Sequence, residues 1–293
     1  MTKIVRFSTG DETGVGVLTD GGVRRIDASS IADLLSRSGA EIEKLAAAPG
    51  EPVEGATLLP PLDGRGELWC SGVTYERSMS ARMEESSSSS VYDKVYVAER
   101  PELFAKAPAW RLVTDGEPVG IRADSGHDVP EPELALVINS AGEIVGYTIC
   151  NDMSSRSIEG ENPVYIPQAK VFAGAASLAS SITLASAVED AHNLDISISI
   201  TRGDAEVFAG QTSTSTLHRR LEDLAAWLMR GQEFPDGVIL ATGTGIVPDL
   251  DFALAAGDVV AITIDGVGTL TNTVVVGTEA FAPLSTGGRP SLD

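Results

Sequence analysis

Glu131 and Glu133 stand two apart in the stretch VPEPELALVI, and on an extended chain that spacing projects both carboxylates from one face. Pro132 between them biases Glu131 toward the β region and is tolerated at the start of a strand. The apolar run LALVI, a turn at Ala141-Gly142 and the returning segment EIVGYTIC read as one β-hairpin. Centred between Ala141 and Gly142, that hairpin sets Asp152 opposite Glu131. Three carboxylates then converge at its open end, where a cation between them relieves their repulsion. An all-oxygen set without histidine or cysteine selects a hard ion, Mg2+ first, with Mn2+ or Ca2+ as alternatives. Lys170, further on, can offset charge or carry a proton. The plainer reading is a charged strand start, with Asp152 capping a turn, in a chain that holds 42 acidic residues.

Other chemistries find little support. The sequence has no GxxxxGK[ST], no GxGxxG after a strand, no GxSxG and no HExxH. His127, His192 and His218 are the three histidines. None stands in the context of a Ser-His-Asp site. His192, in a polar turn, and His218, on an amphipathic segment, read as surface residues. His127 is of interest only for its place just before the carboxylates.

The elements that must position these groups come from a β-rich texture. KIVRF, VGVLT and VRRID are short strands, and ASSIADLLSRSGAEIEKLAA has helical periodicity with serine at its start. The Pro- and Gly-rich EPVEGATLLPPLDGRG follows as a linker, which predicts a small N-terminal domain over 1–63 and a catalytic, metal-binding domain over 64–293. In the larger part ELWCSGVTY is a buried strand and ERSMSARMEE a helix, while the serine run 86–90 reads as a mobile loop. The polar SIEGENPVYIPQAKVF reads as an ordered loop. LDISISI and EVFAG pair about Arg202-Gly203-Asp204, TLHRRLEDLAAWLMRG is the clearest helix, and the tail after Pro283 reads as frayed. Strand and helix do not alternate as in a doubly wound sheet, so the fold class is α+β, rich in strands.

Composition narrows the partners. A formal charge of -21 repels phosphate backbones and anionic lipid, so neither nucleic acid nor a membrane surface is expected. Cys70 and Cys150 lie in apolar runs and fit buried free thiols in a reducing cytosol. The first residues lack the apolar core of a secretory signal, and the uncharged stretch 171–188 is too polar for a span, which together predict a cytoplasmic protein.

The segments GVTY (72–75), LFAKAP (103–108), EPELALVI (131–138), GYTICNDMSSR (146–156), QAK (168–170) and ATGTGIV (241–247) resemble, in this order, the catalytic domain of the fumarylacetoacetate hydrolase family. The resemblance implies a mixed β-sandwich roll and a homodimer or homotetramer. It implies a divalent ion on Glu131, Glu133 and Asp152, with Lys170 near a 2-oxo or β-diketo acid and Thr244 on the substrate carboxylate. Hydrolases of the family carry a histidine three residues after an early tyrosine and a glutamate three further on, a dyad that activates water. After Tyr75 this chain has Ser78 and Ala81 in those places, so C–C hydrolysis by that route is in doubt. Ala179-Ser180 replaces the family's GP, a change without a functional account.

GVTYERSMSARMEES, VYVAERPELFAKA and IEGENPVYIPQAK resemble more narrowly the branch containing 2-keto-3-deoxy-arabinonate dehydratase. That likeness implies a Mg2+-dependent hydro-lyase turning a 2-keto-3-deoxy sugar acid, the pentonate first, into 2,5-dioxopentanoate by enolate formation and loss of the C4 hydroxyl. Lys170 is then the C3 base or a charge that stabilises the enolate. Glu84 and Glu85 are candidate acids for the leaving hydroxyl, or a solvated helix face. Arg156, Tyr165, Gln168 and Lys106 are candidate substrate contacts; Arg156 can equally be a partner of the acidic cluster, Tyr165 a core residue and Lys106 a surface ion pair. The rival readings are a hydrolase of acylpyruvates or diketo-deoxy acids and a non-catalytic metal-binding or interaction protein.

Overall fold

The computed structural model describes residues 1–10, 12–85 and 90–292, with side chains apart from those of 84, 85 and 90–92. Its centre is the strand pair Pro132–Ile138 and Ile144–Asp152. Leu134, Leu136 and Ile138 face one apolar cluster, Ala135 and Val137 another, so the first strand is buried on both sides. That double burial explains why LALVI is a continuous apolar run rather than an alternating one. Glu131 and Glu133 share the parity of Ala135 and Val137, which carries their carboxylates to the margin of the second cluster.

The pair lies inside a 13-stranded sheet. On one side come Val238–Ala241, Glu67–Gly72 and the edge strand Glu102–Pro108; on the other come Ser181–Leu184 and the N-terminal strands. Lys3–Thr9 pairs antiparallel with Ser181–Leu184, so the N-terminal strands extend the same sheet. A 5-stranded sheet holds Ala205–Ser213, Asp195–Arg202, Val259–Ile264, Gly268–Val276 and Val119–Ile121. Ile196, Ile198, Ile200, Ile262 and Leu270 from this sheet meet Leu134 and Leu136 in the first cluster. Each such side chain contributes about 1.5–3 kcal/mol on burial. The architecture is the strand-rich mixed fold expected.

Four local expectations change. The hairpin keeps the expected register from Pro132↔Asn151 to Val137↔Gly146, then slips to Ile138↔Ile144. Asn139 causes the slip: its Oδ1 accepts from the amides of Ala141 and Glu143, and Gly142 takes φ +82°. The polar stretch after Ser155 is not loop but short helical turns, Arg156–Glu161, Pro163–Tyr165 and Ile166–Lys170, started by the Ser155 and Asn162 side chains. The clearest helix begins only at Leu221, because His218 hands its amide to the Thr74 carbonyl and Arg219 caps carbonyls of Val95, Ala98 and Glu99. The tail is not frayed: Arg289 pairs with Glu117 and donates to the Leu112 carbonyl. Of the serine run, residues 86–89 lie outside the described residues. Cys70 and Cys150 are buried and free. No helix among the described residues is long and apolar enough to cross a membrane.

Candidate metal centre and active site

Glu131, Glu133 and Asp152 each present an oxygen within 4.8 Å of the others, and all three are buried. The Asp152 amide donates to the Glu131 carbonyl at 3.0 Å, which continues the hairpin ladder to its last residue and fixes the approach. The donor set suits a hard divalent cation: three carboxylates, no nitrogen or sulfur, on two paired strands.

Cationic side chains surround the triad. Lys170 Nζ donates to Glu131 Oε2 at 2.7 Å, Asp152 Oδ2 at 2.9 Å and Ser154 Oγ at 2.5 Å. Lys106 pairs with Asp152 and donates to the carbonyls of Met153 and Lys170. Arg156 Nη2 donates to Glu131 Oε1 at 2.8 Å and its Nη1 lies 3.5 Å from Glu159 Oε2. Arg82, from the helix Glu76–Glu85, reaches Glu159 Oε1 at 2.5 Å. Burial opposes charge on Lys170, but Asp152 and Glu131 outweigh it and raise its pKa, so the ligand-free protein holds an ammonium there. Burial likewise opposes ionisation of Glu131, and Lys170, Arg156 and Arg82 overcome it, holding that carboxyl below the usual range. Glu133 goes the other way: burial and the charges of Asp152 and Glu131 push it well above the usual range.

Glu133 Oε2 accepts the Gly243 amide at 2.7 Å. Gly243 has φ +91°, and a Cβ there would stand 1.9 Å from Thr74 Oγ1, so only glycine lets this loop touch the carboxylate. Thr74 Oγ1 donates to the Thr242 carbonyl at 2.7 Å and Ser71 Oγ to the Ala241 carbonyl at 3.0 Å. Between them Val73 is held at φ +54°, a conformation a β-branched residue rarely enters. Two residues on, Tyr75 is buried, and burial together with the neighbouring Glu133 raises its pKa.

The structure thus brings Lys170, Lys106 and Arg156 onto the triad. Thr244 is buried in the adjoining loop, where its hydroxyl bonds to the backbone of Ile246. Tyr165 is 38% exposed rather than in the core. Gln168, also exposed, lines a cavity of ≈ 720 Å³ with Phe104, Lys106, Arg122 and Ile166. The side chains of Glu84 and Glu85 lie outside the described residues. Ser78 Oγ is engaged with the Tyr75 backbone, and Ala81 is buried. His127 contributes its carbonyl, which receives the Arg156 amide. Three groups went unread in the sequence. Arg82 and Glu159 face each other only in the fold. Glu102 had a signal, its period-two spacing to Phe104 and Lys106 on the edge strand.

A strand-rich roll with a buried all-carboxylate cluster at the end of a central hairpin defines a candidate metal-dependent enzyme. Residues 67–275 match the family model described as Fumarylacetoacetate (FAA) hydrolase C-terminal, and residues 2–61 one described as Rv2993c-like, N-terminal. The chain belongs to the fumarylacetoacetate hydrolase family. It is 47% identical over 214 residues to the probable 2-keto-3-deoxyxylonate dehydratase of Haloferax volcanii, covering 73% of each chain. It is 42% identical over 208 residues to the 2-dehydro-3-deoxy-D-arabinonate dehydratase of Saccharolobus solfataricus, covering 70% of each. A solved structure of 2-keto-3-deoxy-D-arabinonate dehydratase complexed with magnesium and 2,5-dioxopentanoate matches with a TM-score of 0.82 and 33% identity, over 94% of this chain and 100% of that one.

Proposed function

We propose that the chain is a Mg2+-dependent dehydratase that converts a 2-keto-3-deoxy pentonate to 2,5-dioxopentanoate. The observation that carries this reading is the state of the two positions where a hydrolytic dyad would stand. The Ser78 hydroxyl is tied to the Tyr75 backbone and Ala81 is a buried apolar side chain, so neither can activate a water. Elimination needs no hydrolytic water. The likeness to the two dehydratases supports the same choice.

Glu131, Glu133 and Asp152 are the residues that hold the ion. When bound, it supplies Lewis acidity toward the 2-oxo group and lowers the barrier to losing a C3 proton. Lys170 Nζ is the base for that proton. Asp152 and Glu131, joined by Glu159, sustain its charge against burial, and drawing the first two carboxylates onto a cation would favour the neutral amine. Arg156 holds Glu131 in place and Glu159 holds Arg156. The Gly243 amide fixes Glu133, and the Thr244 loop beside it receives the substrate carboxylate. Gln168, Tyr165 and Lys106 line the approach for the hydroxylated end. The working form is a homodimer or homotetramer, each chain divided into units 1–63 and 64–293.

Incubation of the purified protein and Mg2+ with 2-keto-3-deoxy-arabinonate, its xylonate counterpart and an acylpyruvate tests the reading. A semialdehyde product from either sugar acid is expected. Pyruvate and a second acid from the acylpyruvate, with no semialdehyde, would instead make the chain a hydrolase.

A further inference from the structure

Alternate residues of the first strand, Lys3–Thr9, divide between two faces. Val5 and Phe7 belong to one apolar cluster and Ile4 to another, so Arg6 and Ser8 continue the face that Ile4 starts. Antiparallel pairing sets Val15 and Leu59 on either side of Arg6, and Thr13 opposite Ser8. An arginine therefore stands where a core face passes out to the surface, its side chain 22% exposed. Asp63 Oδ2 lies 3.1 Å from Arg6 Nε, but the two are not aligned as a hydrogen bond. The Asp63 oxygens are also committed elsewhere, Oδ2 to the Ile31 amide at 3.1 Å and Oδ1 to the Ala32 amide at 2.8 Å. The Arg6 guanidinium makes no hydrogen bond to protein among the described residues. Burial lowers its pKa, Asp63 opposes, and the nearby charge of Arg289 adds to the lowering, so a group that stays protonated at any working pH is short of counter-charge.

Arg6 and Arg289 line one cleft of ≈ 540 Å³, bounded by the N-terminal strands, the linker and the C-terminal segment. It shares no lining residue with the carboxylate triad or with the cavity beside Gln168. Its volume is that of a small-molecule site. Leu59, Leu62 and Leu284 form an apolar wall, and Trp110, 51% exposed, stands at its rim. The Ser8 and Thr13 hydroxyls line it too and bond to no protein group among the described residues. We propose that this cleft binds a small organic acid through a single carboxylate, seated on Arg6, with the aliphatic body against Leu59, Leu62 and Trp110. The ligand's charge follows from the cations present. Arg289 is held by Glu117, through Nε at 2.6 Å, so Arg6 alone has donors to offer, and Asp63 beside it repels a second negative charge. A planar carboxylate matches the guanidinium fork, whereas a phosphate dianion brings charge that the cleft does not neutralise. The ligand touches the first strands, the linker and the C-terminal segment at once, so binding stabilises their association.

Pentanoate, which has a carboxylate and an aliphatic body but no 2-oxo group with which to chelate a metal, is the probe. Calorimetry on the full-length protein is expected to show one site per chain with a dissociation constant of about 1 mM or below, together with a raised Tm. Binding should also change the tryptophan fluorescence, and Trp110→Phe should abolish that change while the heat of binding persists. Pentanamide, the uncharged counterpart, and inorganic phosphate should each bind weaker by about tenfold or more. Arg6→Gln should weaken pentanoate binding by about tenfold or more, as the loss of a charge-assisted bidentate pair requires. Thr13→Trp fills the cleft from an exposed strand position and leaves Arg6 and Asp63 in place. It should weaken binding in the same way and serves if Arg6→Gln fails to fold. Wild-type affinity for pentanoate in either folded variant would put the carboxylate elsewhere and overturn the assignment. Pentanamide binding as well as pentanoate, phosphate binding more tightly than pentanoate, or no heat with pentanoate up to about 10 mM would each overturn it too.

Discussion

At its turn, the central hairpin satisfies its polar groups almost completely. Asn139 Oδ1 accepts two amides, its Nδ2 donates to the Arg37 carbonyl at 3.0 Å and to Glu143 Oε2 at 2.6 Å, and Glu143 in turn accepts the Gly39 amide at 2.8 Å. At its open end the same two strands bury three carboxylates within 4.8 Å of one another. Both polar atoms of the Asn151 side chain, the Tyr75 hydroxyl and Glu102 Oε2 have no hydrogen-bond partner among the described residues there. Val73 adds backbone strain to that end. Burying like charges and unmet polar atoms costs stability. The contrast teaches where the fold is built for cohesion and where it holds groups ready for something to bind.

The contrast can be broken most forcefully at Lys170. Lys170→Ala should cut turnover by about 10²–10⁴-fold, the range for losing a general base. Lys170→Arg keeps a charge that cannot be given up at working pH, so a base role predicts an equally inactive variant. Substantial turnover by the arginine variant, measured under saturating Mg2+, would reassign Lys170 to electrostatic stabilisation of the enolate.

A second effect is smaller and depends on pH. The folded pKa of Glu133 is raised, so the native ligand-free chain keeps a proton there that the unfolded chain releases. Through the window from the ordinary glutamate range up to that raised value, its contribution to stability falls as pH rises. A divalent ion must displace this proton, so apparent affinity should increase with pH across the window. Calorimetry in two buffers of different ionisation enthalpy should report release of up to about one proton per ion bound. A binding heat independent of buffer would remove Glu133 from the account.

The smallest effect is expected at the turn. Asn139→Ala removes the ties that organise residues 139–143 and should lower stability by about 2 kcal/mol while leaving kcat unchanged. A denaturant titration beside an activity assay reads both. A fall in kcat with little loss of stability would mean that the two ends are coupled rather than independent.

How much of this was legible depended on whether the partners lay close in sequence or on regular elements. Strand periodicity placed Glu131 opposite Asp152, and the paired strands keep that register over residues 132–137. The turn departed by one residue because a side chain, Asn139, rather than strand geometry decides it. The stretch after Ser155 looked like loop for its prolines and polarity, yet Pro163 sits at a helix start, where its missing N–H costs nothing. Arg82 with Glu159, and Arg289 with Glu117, join segments about 77 and 172 residues apart, a separation no local pattern carries. Glu102 lay in a readable alternation, but its burial against Gly72 needed the sheet order.

The central claim is that the carboxylates at the hairpin's open end bind one divalent ion to which a 2-oxo acid is delivered. Electron paramagnetic resonance of Mn2+, titrated into wild type and Glu133→Gln with and without 2-oxobutyrate, tests it most directly. The account predicts one site per wild-type chain, a spectrum altered by 2-oxobutyrate, and affinity in the variant weakened by about 10²-fold or more, as several kcal/mol of lost ligation requires. A Glu133→Gln chain that binds Mn2+ as wild type does, with the same response to the 2-oxo acid, would contradict it.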